Sequence, residues 1–159
     1  MAQPGDNTCI FCQRVATARA PGTEVIWQFP QSVVVLGAWQ FFEGYCILLS
    51  RDHVRELFEL DAAIRHAFVD EIAVLGKALA TLFEPRKLNV EMLGNLVPHL
   101  HCHLFPRYER DPDHLKPAWV AIDRAETDQA TRHRLEGADV SREQLRERIR
   151  TELAHVTSP

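Results

Sequence analysis

The chain has 159 residues, 46% of them apolar and 25% charged, a balance that fits one water-soluble globular domain and excludes a disordered tail protein. Its formal net charge of -4 offers no positive field to a polyanionic backbone, so no nucleic acid is expected as a partner. Apolar runs such as 33–36 and 45–49 are far shorter than the roughly 20 residues of a bilayer-crossing helix, so no membrane is expected either.

The N-terminal stretch has no basic patch followed by an apolar core, so no export signal is read there and a cytoplasmic, reducing setting is expected. In that setting four cysteines do not make a disulfide framework. Cys9 and Cys12 form a C-x-x-C pair that invites a metal. A thioredoxin-like redox pair is the competing reading, but that motif follows a strand, and only eight residues precede Cys9. Cys46 and Cys102 read as small core residues.

In chain order, segments 24–29, 32–36 and 44–50 are rich in Val, Ile, Leu and aromatics and are punctuated by Pro30, Gly37 and Gly44. They predict successive strands of an antiparallel meander. From 61 to 84 the period changes: Ile64, Phe68, Ile72, Leu75, Leu79 and Leu82 recur at steps of three and four, the stripe of an amphipathic helix. Asp61 can cap its start and Pro85 stops it. Segments 87–93 and 100–105 predict two more strands, with Gly94, Asn95 and Pro98 between them.

Residues 108–137 are polar, contain Pro112 and Pro117 and show no clean period, so an irregular surface arm is expected. Beyond it Ser141 and Gln144 have capping-box spacing, and Val140 can staple onto Leu145. Leu145, Ile149, Leu153 and Val156 then form a narrow apolar seam on a C-terminal helix. Nothing in the chain divides it: 1–107 reads as the core of one domain, and 108–159 as an arm and helix belonging to it.

Three of the eight histidines, His99, His101 and His103, fall within five residues and alternate with Leu100 and Cys102. On a half-buried strand that alternation puts the rings on one face, roughly 6 to 7 Å apart, and the apolar residues in the core. Such a row can bind metal, grip phosphate, or divide those jobs. One ion shared by all three is excluded, because His99 and His103 would stand roughly 13 Å apart on a straight strand, against metal bonds of about 2 Å. His66, His114, His133 and His155 read as solvated.

The run His99-Leu100-His101-Cys102-His103-Leu104-Phe105 resembles, position for position, the signature of the histidine-triad (HIT) superfamily of nucleotidyl hydrolases and transferases. Cys9-Ile10-Phe11-Cys12, the strand leading into Arg51-Asp52-His53-Val54, and Leu88-Asn89 through Gly94-Asn95 are similar to its bacterial, zinc-containing branch. The resemblance covers about residues 9 to 107. It implies an α+β domain: a five-stranded antiparallel sheet with one long packed helix and a C-terminal helix, paired into a homodimer, which the C-terminal seam would serve.

For chemistry the resemblance implies that His101 attacks the α-phosphorus of a nucleotide and that His103 donates to a phosphate oxygen. His99 would join Cys9, Cys12 and His53 around a structural zinc, while Asn89 and Asn95 hold ribose and phosphate. Leu96 stands where many relatives have Ser or Thr, and Leu36-Gly37-Ala38 where many have an Asp for the ribose. Trp119 is placed to cover a base. The expected activity is hydrolysis of a dinucleoside polyphosphate or nucleoside phosphoramidate through a nucleotidyl-histidine. The alternatives are nucleotidyl transfer to phosphate or a sugar phosphate, and a non-catalytic zinc-stabilised nucleotide-binding module.

Overall fold

The computed structural model describes residues 8–20, 22–137 and 141–158. Its elements run α1 (Ile10–Ala16), β1 (Val25–Gln28), β2 (Ser32–Leu36), β3 (Cys46–Ser50), α2 (Ala62–Phe83), β4 (Lys87–Glu91), β5 (His101–Arg107), α3 (Ala118–Thr127), α4 (Gln129–Glu136) and α5 (Arg142–Val156). The architecture is α+β. All five strands form one antiparallel sheet in the order β1-β2-β3-β5-β4. The first three make the expected meander, and α2 then carries the chain across, so that β5 returns between β3 and β4.

Each face of the sheet has its own cover. Val34, Leu36, Cys46, Leu48, Cys102 and Leu104 point to one side, where Phe68, Ile72, Leu75 and Leu79 of α2 and Leu145, Ile149 and Leu153 of α5 meet them. Three of those α2 residues, Phe68, Leu75 and Leu79, have no exposed surface, and burial of each is worth about 1.5 to 3 kcal/mol. On the other side Val33, Val35 and Leu49 pack on Phe11 of α1, while Tyr45 and Phe105 pack on α3 and α4. β2 is therefore covered on both faces, which is why its sequence reads as an unbroken apolar run.

Several expectations need correction. The seam of α5 is spent inside its own chain, against α2 and β1, and leaves little for a partner. Asp61 occupies the N-cap of α2 without a capping hydrogen bond from its side chain. Ser141 does cap α5 by accepting from the Gln144 amide; the Val140 staple lies outside the described residues.

The arm is irregular only over residues 108–117, and the rest of it folds into α3 and α4. Small residues (Ala118, Ala121 and Ala125) form the buried stripe of α3 with Ile122, giving little hydropathy contrast but allowing close approach to the sheet. Asp128 caps α4 by accepting from the Ala130 and Thr131 amides, and Gly137 ends it at φ 67°. The arm is tied to β5 by Arg107, which is 1% exposed. Its guanidinium donates to Asp111 (2.5 and 3.0 Å) and to the carbonyls of Asp113 (2.7 Å) and Lys116 (2.6 Å).

Candidate active site

Cys9 stands at the N-cap of α1 and Cys12 three residues further on, so one helical turn presents both thiols on the same side. His53 follows β3, and His99 lies two residues before β5. These four converge, with ligand atoms all within 4.8 Å of one another. Nδ1 of His99 lies 3.6 Å from Cys9 Sγ and 3.5 Å from Cys12 Sγ, and Nδ1 of His53 lies 3.0 Å from Cys12 Sγ. Tetrahedral metal bonds of about 2.3 Å to sulfur and 2.0 to 2.1 Å to nitrogen give sulfur–nitrogen edges of about 3.5 Å, so the donor set fits one metal ion. Nε2 of His99 donates to the Ser50 carbonyl at 2.8 Å. That outer bond leaves Nδ1 bare toward the cluster, as a ligating imidazole requires.

His99 thus departs from the other two histidines. It sits off the strand, fully buried, while His101 and His103 lie on β5 beside Leu49 and Ile47 of β3. Their rings meet edge to face with centroids 4.8 Å apart, closer than the straight-strand spacing, because both lean into one cavity. Nδ1 of His101 donates to the His99 carbonyl at 2.6 Å. Nδ1 of His103 meets the Tyr45 hydroxyl at 2.8 Å. Burial lowers the pKa of His101, against the pull of the His99 carbonyl; burial, with His101 adding, pushes His103 down to about 4. Both rings are neutral at pH 7.

The cavity beside them has a volume of about 350 Å³ and a mostly apolar wall. Phe11, Leu96 and Val97 supply apolar surface, Trp119 and Asp123 come from α3, and Asn95 lines it from the β4–β5 connection. Trp119 packs edge-on to His103 at 5.1 Å, and its indole N–H donates to Glu91 of β4. A smaller cavity of about 190 Å³ lies on the other side of His101, lined by Arg55, Glu56, Met92 and His99 among others. His101 faces both.

Of the residues singled out from sequence, His101, His103, Asn95, Leu96 and Trp119 share the larger cavity, and the four cluster residues assemble beside it. Asn89 does not join them. It lies on the histidine face opposite Phe105, but its side-chain oxygen accepts from Arg107 at 2.8 Å and it lines a separate depression. The carboxamide is engaged in holding the arm. Cys46 and Cys102 are fully buried, and burial pushes both thiols up, Cys102 to about 12. They are inert core residues. Phe11, Tyr45 and Asp123 were not anticipated. Tyr45 shares the parity of Ile47 and Leu49, which pair with His103 and His101, but that signal becomes readable only when the pairing is known.

The HIT domain family matches residues 19–110, and the chain belongs to this family. The Bacillus subtilis relative named Protein hit is 26% identical over 107 residues, covering 64% of this chain and 72% of that protein. A histidine triad protein from Bradyrhizobium japonicum is 26% identical with a TM-score of 0.55, covering 70% of this chain and 91% of its own. A Zn-bound histidine triad family protein from Mycobacterium smegmatis covers 95% of this chain and 96% of its own with a TM-score of 0.66; at 18% identity that likeness is one of fold. Among the described residues no helix is long and apolar enough to cross a membrane.

Proposed function

We propose that the protein hydrolyses a phosphoanhydride or phosphoramidate at the α-phosphate of a nucleotide, a dinucleoside polyphosphate or nucleoside 5'-phosphoramidate, with His101 as nucleophile. One observation carries this reading: the hydrogen bond from His101 Nδ1 to the His99 carbonyl. A carbonyl oxygen only accepts, so Nδ1 holds the proton and Nε2 keeps its lone pair for attack. As Nε2 bonds to phosphorus, the bond from phosphorus to the leaving oxygen or nitrogen breaks and its electron pair departs with that atom, a leaving nitrogen taking a proton from water as it goes. The ring gains positive charge, which the same carbonyl stabilises through Nδ1–H. Water then displaces the histidine and releases the nucleoside monophosphate.

His103 is the donor to a nonbridging phosphate oxygen. Asn95 offers a further donor, the apolar wall takes the base, and Trp119 covers it. Asp123, at the rim, is an acceptor for sugar hydroxyls, a role that Leu36-Gly37-Ala38 cannot fill. Asn89 has no part in this, because its oxygen serves Arg107.

Zinc is the metal we assign to Cys9, Cys12, His53 and His99. Two thiolates and two imidazoles fill its coordination and leave no position for substrate, so when bound it supplies a structural tie between the N-terminal segment and the catalytic strand. We also assign a homodimer, formed along the outer edge of β4, where Val90, Met92 and Leu93 are 44 to 52% exposed; light scattering at twice the chain mass is the check.

Quenched single turnover of diadenosine tetraphosphate and of adenosine 5'-phosphoramidate, followed by peptide mass spectrometry, tests the central claim. The expected result is an adenylyl group on His101 and loss of at least about 1,000-fold in turnover for His101→Ala with nucleotide binding retained. An adduct on another residue, or a His101→Ala protein that still turns over, removes this mechanism. Product that incorporates added phosphate in place of solvent oxygen would make the protein a transferase.

A further inference from the structure

We propose that Tyr45 is a positioning residue of this site: its hydroxyl donates to Nδ1 of His103 and so locks that imidazole in the tautomer that carries its proton on Nε2, the nitrogen left for the cavity. The kinetic part of this inference rests on the phosphoryl chemistry proposed above; the tautomer does not.

The direction of the 2.8 Å bond follows from counting protons. Both groups are neutral, since burial pushes the Tyr45 phenol above its ordinary range and His103 down to about 4. A phenol has one proton and a neutral imidazole one N–H, and only one proton fits between them. Were Nδ1–H the donor, the phenol proton would need a second acceptor. Among the described residues Tyr45 has no other hydroxyl partner, and a buried unsatisfied donor costs about 1 to 3 kcal/mol. The phenol therefore donates, Nδ1 accepts, and Nε2 is N–H.

The phenol cannot swing away to relieve this arrangement. Its ring stacks on Phe105 with centroids 3.9 Å apart and an interplanar angle of 15°. The Tyr45 amide donates to Phe42, and its carbonyl accepts from Gly37 N–H at 2.9 Å and from Gln40 at 3.0 Å. On the remaining side the ring lies against Gly37, where a Cβ would stand 2.0 Å from a ring carbon. Glycine at 37 is thus the space that Tyr45 occupies. This explains why the chain carries Leu36-Gly37-Ala38 at the end of β2.

Two adjacent imidazoles are consequently held in opposite senses. The His99 carbonyl makes His101 bare at Nε2, and the Tyr45 phenol makes His103 a donor at Nε2. Attack and stabilisation of the phosphate oxygen need that opposition, since two bare nitrogens would repel the oxygen and two N–H groups would leave no nucleophile.

Long-range proton–nitrogen NMR on the full chain labelled with 15N-histidine reads the tautomer without any substrate. His103 is expected to show a protonated Nε2 and an unprotonated Nδ1, and Tyr45→Phe to replace that pure pattern with a mixture. In steady-state assays with adenosine 5'-phosphoramidate, Tyr45→Phe should lower kcat about 10-fold or more while KM changes less than about 3-fold. A wild-type His103 protonated at Nδ1 overturns the proposal even if the variant fails to fold, and so does a Tyr45→Phe protein with unchanged tautomer and kcat. If the wild-type chain turns over no nucleotide, the hydrolase reading fails while the NMR result still decides the role of Tyr45.

Discussion

His101 leans on His99 through its backbone: Nδ1 of the first donates to the carbonyl oxygen of the second at 2.6 Å. The same His99 turns its own Nδ1 toward Cys9 and Cys12. One residue thereby joins the cysteine–histidine cluster with its side chain and fixes the orientation of the His101 ring with its main chain.

Metal removal should accordingly reduce stability and turnover together. Elemental analysis is expected to find one zinc per chain, and chelation to lower Tm and kcat in parallel, because an empty cluster of two thiols and two imidazoles gives back the binding free energy coupled to folding. Cys12→Ser should act like the chelator. A chelated protein with zinc lost but Tm and kcat intact would show that the cluster ties nothing down.

The pH dependence of stability has a defined sign. His103 titrates at about 4 in the fold against 6.5 for the ordinary group, so between those values the unfolded chain holds a proton that the folded chain refuses. Stability present above pH 6.5 is lost progressively as pH falls toward 4 and then levels off. The loss from this group is on the order of 2 kcal/mol, discounted from the full shift because the ring borders an open cavity. Urea denaturation of wild type and His103→Gln at pH 7, 5.5 and 4.5 checks it. The gap between the two proteins should shrink toward low pH; a gap independent of pH contradicts the assignment.

Asp111 should be among the most sensitive residues outside the site. Asp111→Ala leaves the Arg107 guanidinium buried without its carboxylate, which costs about 3 to 5 kcal/mol. Since Arg107 also holds the Lys116 and Asp113 carbonyls, α3 should loosen and Trp119 fluorescence shift toward that of an exposed indole. The pair Arg107→Met with Asp111→Leu should recover part of the loss. An Asp111→Ala protein with wild-type Tm and fluorescence would show that the buried pair does not hold the arm.

What the sequence made legible was whatever repeats with a clear period. The stripe of α2 and the alternation of His101, Cys102, His103 and Leu104 are strong hydropathy contrasts, and they placed the long helix and the histidine strand within a residue or two. The C-x-x-C pair was readable as a metal-binding element because few residue types ligate metals, whereas His53 and His99 joined it only through the resemblance to the zinc-containing branch. The helices of the arm were not, since Ala118, Ala121 and Ala125 bury themselves through small size, and α1 is too short to show a period. Asn89 misled for a related reason: residue type and neighbourhood say nothing about which neighbour consumes a carboxamide. That information resides in Arg107, eighteen positions away.

The way Trp119 is held joins the roof of the cavity to its floor. Its indole is bound to Glu91 on β4, and the peptide three residues before it is gripped by Arg107 at the far end of the strand that carries both histidines. Roof and floor are therefore one fixed frame. Leu96, 95% exposed, lines the same cavity from the connection between β4 and β5. A substitution at Leu96 would therefore reshape the cavity wall and leave the bonds that hold Trp119 in place.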